Sequence, residues 1–306
     1  MPGDVAPDDR GFAYEPRETC VCGQALAPDC RVVTKQTADG TVTFRRCAAC
    51  GSYVQSPQIE EASLRRLYES DAYWGSERNR GATYLGYEAD EPARRREAAA
   101  RYARDLAPLL APASRILEIG CATGSLLRVL REYGHDASGV DVSARMAAVA
   151  REINDVPVVA GDVLAQPIAD DSLDAVILLG TISNLPRPQE HLARIRQVLR
   201  PGGLLYFNYP AANALVARLY GRRFWMFAPS VSAFLSDAGC ARLLDRAGFG
   251  RARRATDRQR PSLKKLLGHA GLGSLAGGAI SGRAGGLQLP VDLPIPGVRV
   301  VWARRR

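Results

Sequence analysis

No apolar run in this 306-residue chain approaches the ~20 residues a membrane-spanning helix needs. The opening stretch MPGDVAPDDR also lacks the basic start and apolar core of a secretory signal. Both absences argue against a membrane protein or a membrane partner, and a cytoplasmic setting is the expectation. Lysine occurs only at Lys35, Lys264 and Lys265, so nearly all positive charge is arginine. Histidine is confined to His135, His191 and His269, which leaves few candidates for an imidazole base. Hydrophobic residues make up 46% of the chain, enough for a full core and an accessory module. The net charge of +9 is localised: Arg251–Arg306 holds 12 Arg and Lys against Asp257 and Asp292, and the rest is close to neutral. Such a segment reads either as a solvated arginine-rich surface or as an anion-binding or nucleic-acid-binding one.

What is present in strength is an alternation of strands and helices. Arg115–Leu126, RILEIGCATGSL, is an apolar run ending in a glycine-flanked loop that opens a helix. That arrangement brings backbone close to a nucleotide-like ligand, or serves as a packing joint. A second strand closes on Gly139-Val140-Asp141-Val142-Ser143, with Ser143 as N-cap of another helix. Its acid, some 20 residues past the first glycine, is placed to accept both hydroxyls of a ribose. Third and fourth strands, Val156–Ala160 and Leu173–Leu179, end at Gly161-Asp162-Val163 and Gly180-Thr181. A helix over Gln189–Leu199 and a strand over Leu204–Tyr209 follow, and the sheet is expected to be parallel and doubly wound. A dinucleotide loop wants glycine at the two positions held here by Ala122 and Ser125. Glu118, two residues before Gly120, suits a cationic ligand better than a pyrophosphate.

ILEIGCATG, VDVS, GDV and VLRPGGLLYF, in that order over residues 115–250, resemble the successive motifs of class I S-adenosylmethionine (SAM)-dependent methyltransferases. The resemblance implies an α/β, Rossmann-like doubly wound seven-stranded sheet. Phe249–Ala255 would be the sixth strand and Gly297–Ala303 the seventh, in an antiparallel finish. It also implies that Glu118, Gly120, Ala122 and Gly124 line the methionine portion of SAM and that Asp141 binds the ribose. Val142, Asp162 and Val163 would surround the adenine, and Thr181 and Asn184 would face the methyl group.

The cysteines near the N-terminus are organised. Cys20-Val21-Cys22-Gly23 and Cys47-Ala48-Ala49-Cys50-Gly51 bracket two alternating stretches, Arg31–Gln36 and Thr41–Arg46, around the turn Ala38-Asp39-Gly40. Two knuckles around a hairpin describe a small zinc ribbon, with a closed four-thiolate site for a structural Zn2+. The first pair is one residue shorter than C-x-x-C, so either Cys20 or Cys30 completes the set with Cys22, Cys47 and Cys50. Cys121 and Cys240 are expected to pack in the core.

The expected organisation is a zinc-ribbon module over 1–56, a helical linker or cap over 57–112, and the SAM-binding domain over 113–306 with an insertion at 256–296. Ile59–Ser70 reads as a helix with Leu64, Leu67 and Tyr68 on one face. Tyr73, Trp74, Tyr84 and Tyr87 follow it, and either close over SAM, Tyr84 included, or form a seam between domains. Within the insertion, Pro261–Leu275 reads as a short amphipathic helix and either a substrate lid or a surface loop. Where many relatives have Glu-His, this chain has Ser183-Asn184-Leu185-Pro186, and Asn184 cannot take a proton at neutral pH. His135 and His191 read as structural, so His269, Tyr209 and Tyr220 are the candidate bases.

Cysteine module, aromatic segment and core together resemble a bacterial family of natural-product and sugar methyltransferases. Its zinc-bearing sugar C-methyltransferases carry a further C-terminal domain, whereas only Arg251–Arg306 follows the core here. The expected function is therefore O-methylation of a small-molecule acceptor. RNA or protein methylation through the basic segment, or a non-catalytic SAM-binding scaffold, are the alternatives.

Overall fold

The computed structural model describes residues 11–37, 40–74, 91–224, 226–260 and 292–306. The N-terminal part holds β1 (Tyr14–Glu15), β2 (Val32–Thr37), β3 (Gly40–Arg46), β4 (Tyr53–Gln55), β5 (Gln58–Ile59), α1 (Glu61–Glu69) and α2 (Asp71–Trp74). α3 (Glu91–Arg101) runs into a single π-type turn, Tyr102–Leu106, closed by the Ala107 N–H on the Tyr102 carbonyl. Then come β6 (Arg115–Ile119), α4 (Ser125–Glu132), β7 (Asp136–Asp141), α5 (Ala144–Asn154), β8 (Val158–Ala160), β9 (Leu173–Leu178), α6 (Pro188–Val198) and β10 (Leu199–Pro210). α7 (Leu215–Tyr220), β11 (Ala233–Phe234), α8 (Asp237–Arg246), β12 (Arg253–Gln259) and β13 (Leu293–Arg304) complete the chain.

Seven strands make the main sheet in the order β12-β13-β10-β9-β6-β7-β8. The five from β10 to β8 are parallel, and β13 runs antiparallel to both β10 and β12. The parallel part is the doubly wound sheet that the strand–helix alternation predicts, and the whole is the Rossmann-like seven-stranded sheet that the resemblance to class I methyltransferases implies. Parallel strands covered on both faces are apolar throughout, and in β6 all four residues from Ile116 to Ile119 are buried. Ile116, Ala175, Ile177, Leu204 and Tyr206 point to the face covered by α3, α4 and α5. Their neighbours Leu117, Ile119, Val176, Leu178, Leu205 and Phe207 point to the other. That second core is continuous with Val42, Phe44 and Val54 of the N-terminal strands β3 and β4, where the ribbon is expected, and with Leu243 and Leu244 of α8. β11 joins the ribbon sheet itself, in the order β11-β4-β3-β2, with Phe234 opposite Tyr53.

The sixth strand lies at Arg253–Gln259, further along the chain than the expected Phe249–Ala255. As the edge strand it exposes Arg253 and Arg254 and buries mainly Asp257, so it offers no apolar alternation to read. Phe249, fully buried, makes only an isolated bridge to Arg305. The hairpin also extends into the expected insertion, pairing Arg258 with Pro294 and Gln259 with Leu293. The amphipathic helix and lid expected within 261–291 lie outside the described residues, as do Tyr84, Tyr87 and His269. Much of the basic charge of the C-terminal segment is neutralised locally. Arg254 and Arg299 reach Asp237, Arg260 reaches Asp292, Arg305 reaches Asp171 and Arg306 reaches Asp245. Among the described residues no helix is long and apolar enough to cross a membrane.

Candidate active site

The loop after β6 turns sharply: Gly120, Ala122 and Gly124 all have φ in the left-handed region, at +72°, +47° and +74°. Gly120 is required twice over, because a Cβ there would also lie 2.4 Å from Thr181 Oγ1. Asp141, at the end of β7, accepts from the Ala122 N–H through Oδ2 (2.8 Å) and from the Ser143 N–H through Oδ1 (2.9 Å). The carboxylate thus pins the loop to the N-terminus of α5, where the Ser143 hydroxyl caps the Met146 N–H. Burial pushes the Asp141 carboxyl up, opposed by those two backbone donors.

Glu118 lies behind the loop and is 4% exposed. Burial, with the charge of Asp141 added, pushes its carboxyl up to about 8, and its Oε2 has no hydrogen-bond partner. An orphaned acid of this kind is costly unless a cationic or donor group completes it.

Gly120, Ala122, Asp141, Val142, Asp162, Val163, Thr181 and Asn184 line one cleft at the C-terminal edge of the sheet. Glu118 and Gly124 do not reach its wall; a Cβ at Gly124 would strike Val156, which marks it as a packing position. α1 and α2 form the opposite wall, where Leu64, Tyr68, Tyr73 and Trp74 face Val142 and the loop. Neither tyrosine singled out as a base reaches the cleft. Tyr209 is fully buried and donates to Asp237 Oδ1 (2.9 Å), and burial raises its hydroxyl far above the usual range, so it stays protonated. Tyr220 sits on α7, 57% exposed. His269 lies outside the described residues.

Three contributors were not legible in the sequence. His191, expected to be purely structural, lines the cleft, with Nε2 3.2 Å from Asp162 Oδ2 and Nδ1 2.7 Å from the Arg187 carbonyl. Both ring nitrogens of His191 thus lie within hydrogen-bond distance of protein oxygens. Burial pushes the Asp162 carboxyl up, but the hydrogen bonds from His191 and the Leu164 N–H outweigh it and hold it below its usual value. Glu91 accepts from Ser125 Oγ (2.8 Å) and Asn154 Nδ2 (2.7 Å), and Asn154 also donates to the Thr123 carbonyl, which buttresses the loop from outside. Asn208 accepts from the Gly180 N–H (2.7 Å) and donates to Asp257 (2.9 Å), itself paired with the buried Arg101. Each joins residues remote in sequence, and no local spacing signals them.

At the far side of the second core, Cys20, Cys22, Cys47 and Cys50 are buried with their sulfurs all within 4.8 Å of one another. Cys20 Sγ lies 3.6 Å from Cys50 Sγ, and Cys22 Sγ 3.8 Å from Cys47 Sγ. Tetrahedral zinc with Zn–S bonds near 2.3 Å sets its sulfurs about 3.8 Å apart, so the donor set fits that ion. Gly23 and Gly51, both left-handed, turn the two knuckles. Cys30 stands outside the group and accepts a bond from Arg45 Nε (3.4 Å).

Residues 92–250 match the methyltransferase domain family. The chain belongs to that family. The domain is 34% identical over 103 residues to a demethylmenaquinone methyltransferase of Renibacterium salmoninarum, a match covering 32% of this chain and 44% of that protein. It is 32% identical over 103 residues to a malonyl-(acyl-carrier protein) O-methyltransferase of Enterobacter lignolyticus, covering 33% and 41%. The matches therefore span less than half the length of either relative. A SAM-dependent methyltransferase from Archaeoglobus fulgidus shares the fold, with a TM-score of 0.51 and 18% identity over 72% of this chain and 99% of that one. The four-cysteine cluster lies outside the residues matched to the methyltransferase domain.

Proposed function

We propose that the chain transfers a methyl group from SAM to an oxygen of a small-molecule acceptor in a biosynthetic pathway. The observation that carries this reading is Glu118, a buried carboxyl with an unpartnered oxygen beneath a left-handed loop that Asp141 pins in place. When bound, SAM supplies a methyl group on a cationic sulfonium. Glu118, behind the loop rather than in the cleft wall, gives up its raised proton when the cationic end of the cofactor binds, and Gly120 and Ala122 let backbone approach that end. Asp141 keeps lone pairs free for the ribose hydroxyls after its two backbone bonds. Asp162, held ionised by His191, stands with Val142 and Val163 at the adenine. Thr181 and Asn184, on the loop that Asn208 anchors, orient the acceptor for in-line displacement.

Among the described residues neither Tyr209 nor Tyr220 reaches the cleft, which favours an acceptor oxygen that arrives acidic, as a carboxylate, enol or phenol, and a chain that contributes alignment more than base catalysis. The Enterobacter relative is by name an O-methyltransferase, which agrees with the oxygen assigned here. A structural Zn2+ on Cys20, Cys22, Cys47 and Cys50 belongs to the same reading. The test is transfer of labelled methyl from SAM to panels of carboxylic acids, phenols and amines. Product at oxygen, with kcat/KM against pH following the ionisation of the acceptor, is the expected result. Transfer only to nitrogen or carbon would overturn the oxygen assignment.

A further inference from the structure

α7 leaves the sheet at the end of β10, on the edge that carries the cleft: β10 runs parallel to β9, and Asn208 is bonded to Gly180. The helix is seated by its inner face, where Ala217 is buried and Val216 packs against Gly297. Its outer face is apolar and open. Leu215 is 69% exposed, Leu219 75% and Tyr220 57%. Scattered apolar residues on a surface need no explanation, but three large ones grouped on one short helix do. Arg218, Arg222 and Arg223 are exposed around them, with no acidic partner among the described residues. The sequence contains no Asp or Glu anywhere between Glu190 and Asp237. Lys35 of β2 adds a fourth cation beside this corner, its ammonium bonded to the Phe224 carbonyl.

Apolar side chains ringed by arginines that have no acidic partner among the described residues match an anionic lipid surface, the leucines and tyrosine entering the acyl boundary and the guanidinium groups meeting phosphates. We propose, against the expectation of no membrane partner drawn from the lack of a spanning run, that α7 docks the enzyme on the surface of an anionic phospholipid bilayer without crossing it and so presents the cleft to an acceptor held in that bilayer. This rests on the methyltransferase reading above and names where its acceptor is found. A nucleic acid would engage the arginines but leave the leucines without a role.

The experiment is co-sedimentation of the full chain with vesicles of phosphatidylcholine alone or mixed with phosphatidylglycerol. SAM binding is followed in parallel by calorimetry. Each arginine contributes roughly fivefold to binding at an anionic surface. The protein is expected to favour the anionic vesicles by at least about tenfold. Leu215→Ser with Leu219→Ser, and separately Arg222→Glu with Arg223→Glu, should each lower binding about tenfold or more with SAM affinity unchanged. Equal, weak binding to both vesicle types would overturn the proposal. So would anionic binding that RNA abolishes while the leucine variant retains it, or a leucine variant whose only change is from dimer to monomer on gel filtration. Loss of SAM binding by the unaltered protein would instead strike the methyltransferase reading, which keeps the two failures distinct.

Discussion

Glu118 titrates in a range where its state governs both stability and ligand binding. Its carboxyl is raised from an ordinary 4.5 to about 8, so the unfolded chain gives up that proton first as pH rises. The ligand-free protein is stabilised by the neutral form below pH 4.5 and loses that contribution progressively up to about pH 8. Glu118→Gln removes the loss, and thermal melts should show this variant gaining on the parent between pH 5 and pH 8. Calorimetry should show the reverse for SAM, with weaker binding by the variant and parental affinity rising with pH toward 8. A variant that melts in parallel with its parent at both ends would mean that the buried carboxyl does not titrate there. At Asp141, substitution by alanine removes the clamp on Ala122 and Ser143 and, on the function proposed above, the acceptor for two ribose hydroxyls. A loss of at least ~2 kcal/mol in SAM binding is expected.

At the scale of elements, the four-cysteine cluster and α8 are tied together by hydrogen bonds. Ser236, the N-cap of α8, accepts from the Gly239 N–H (2.9 Å), donates to the Cys50 carbonyl and takes the Ser52 hydroxyl as acceptor for its own N–H (2.9 Å). Ser236→Ala should cost about 1–2 kcal/mol by chemical denaturation, since a cap and a link between the knuckle and the helix are lost together. Purified protein is expected to carry about one zinc per chain, and Cys47→Ser or Cys50→Ser to release it. Because β11 completes the ribbon sheet and the two share a core, zinc loss should lower a single melting transition of the whole chain. A separate early transition for the ribbon would show the two parts to be independent. The strands of this module were readable because Arg31–Gln36 and Thr41–Arg46 alternate around a glycine turn. The role of β11 was not, since two residues, Ala233 and Phe234, carry no periodicity.

For the whole molecule, the legible part was the parallel half of the sheet. β6 and β9 are buried on both faces, and their apolar runs and glycine-bounded ends stand out without any knowledge of partners, while β7 is marked by its ending in Gly139-Val140-Asp141. β12 hides because its inward group is an acid, Asp257, paired with Arg101. Asp257→Ala removes the nearest partner of that buried guanidinium and leaves it Asp105 and Glu97 at 3.7 and 3.9 Å, and a loss of about 3 kcal/mol in unfolding free energy is expected. The Asp162–His191 pair escaped for the same reason: its members are brought together by the fold across separate elements. Charge was misleading in the opposite sense, since the basic C-terminal stretch meets Asp171, Asp237, Asp245 and Asp292 once folded. The measurement that bears most directly on the central claim is calorimetric titration of the full chain with SAM and, separately, NAD. The account predicts one SAM site per chain with low-micromolar affinity, weakened at least about 30-fold by Asp141→Ala, and no NAD binding. Clear binding of NAD with none of SAM would contradict it.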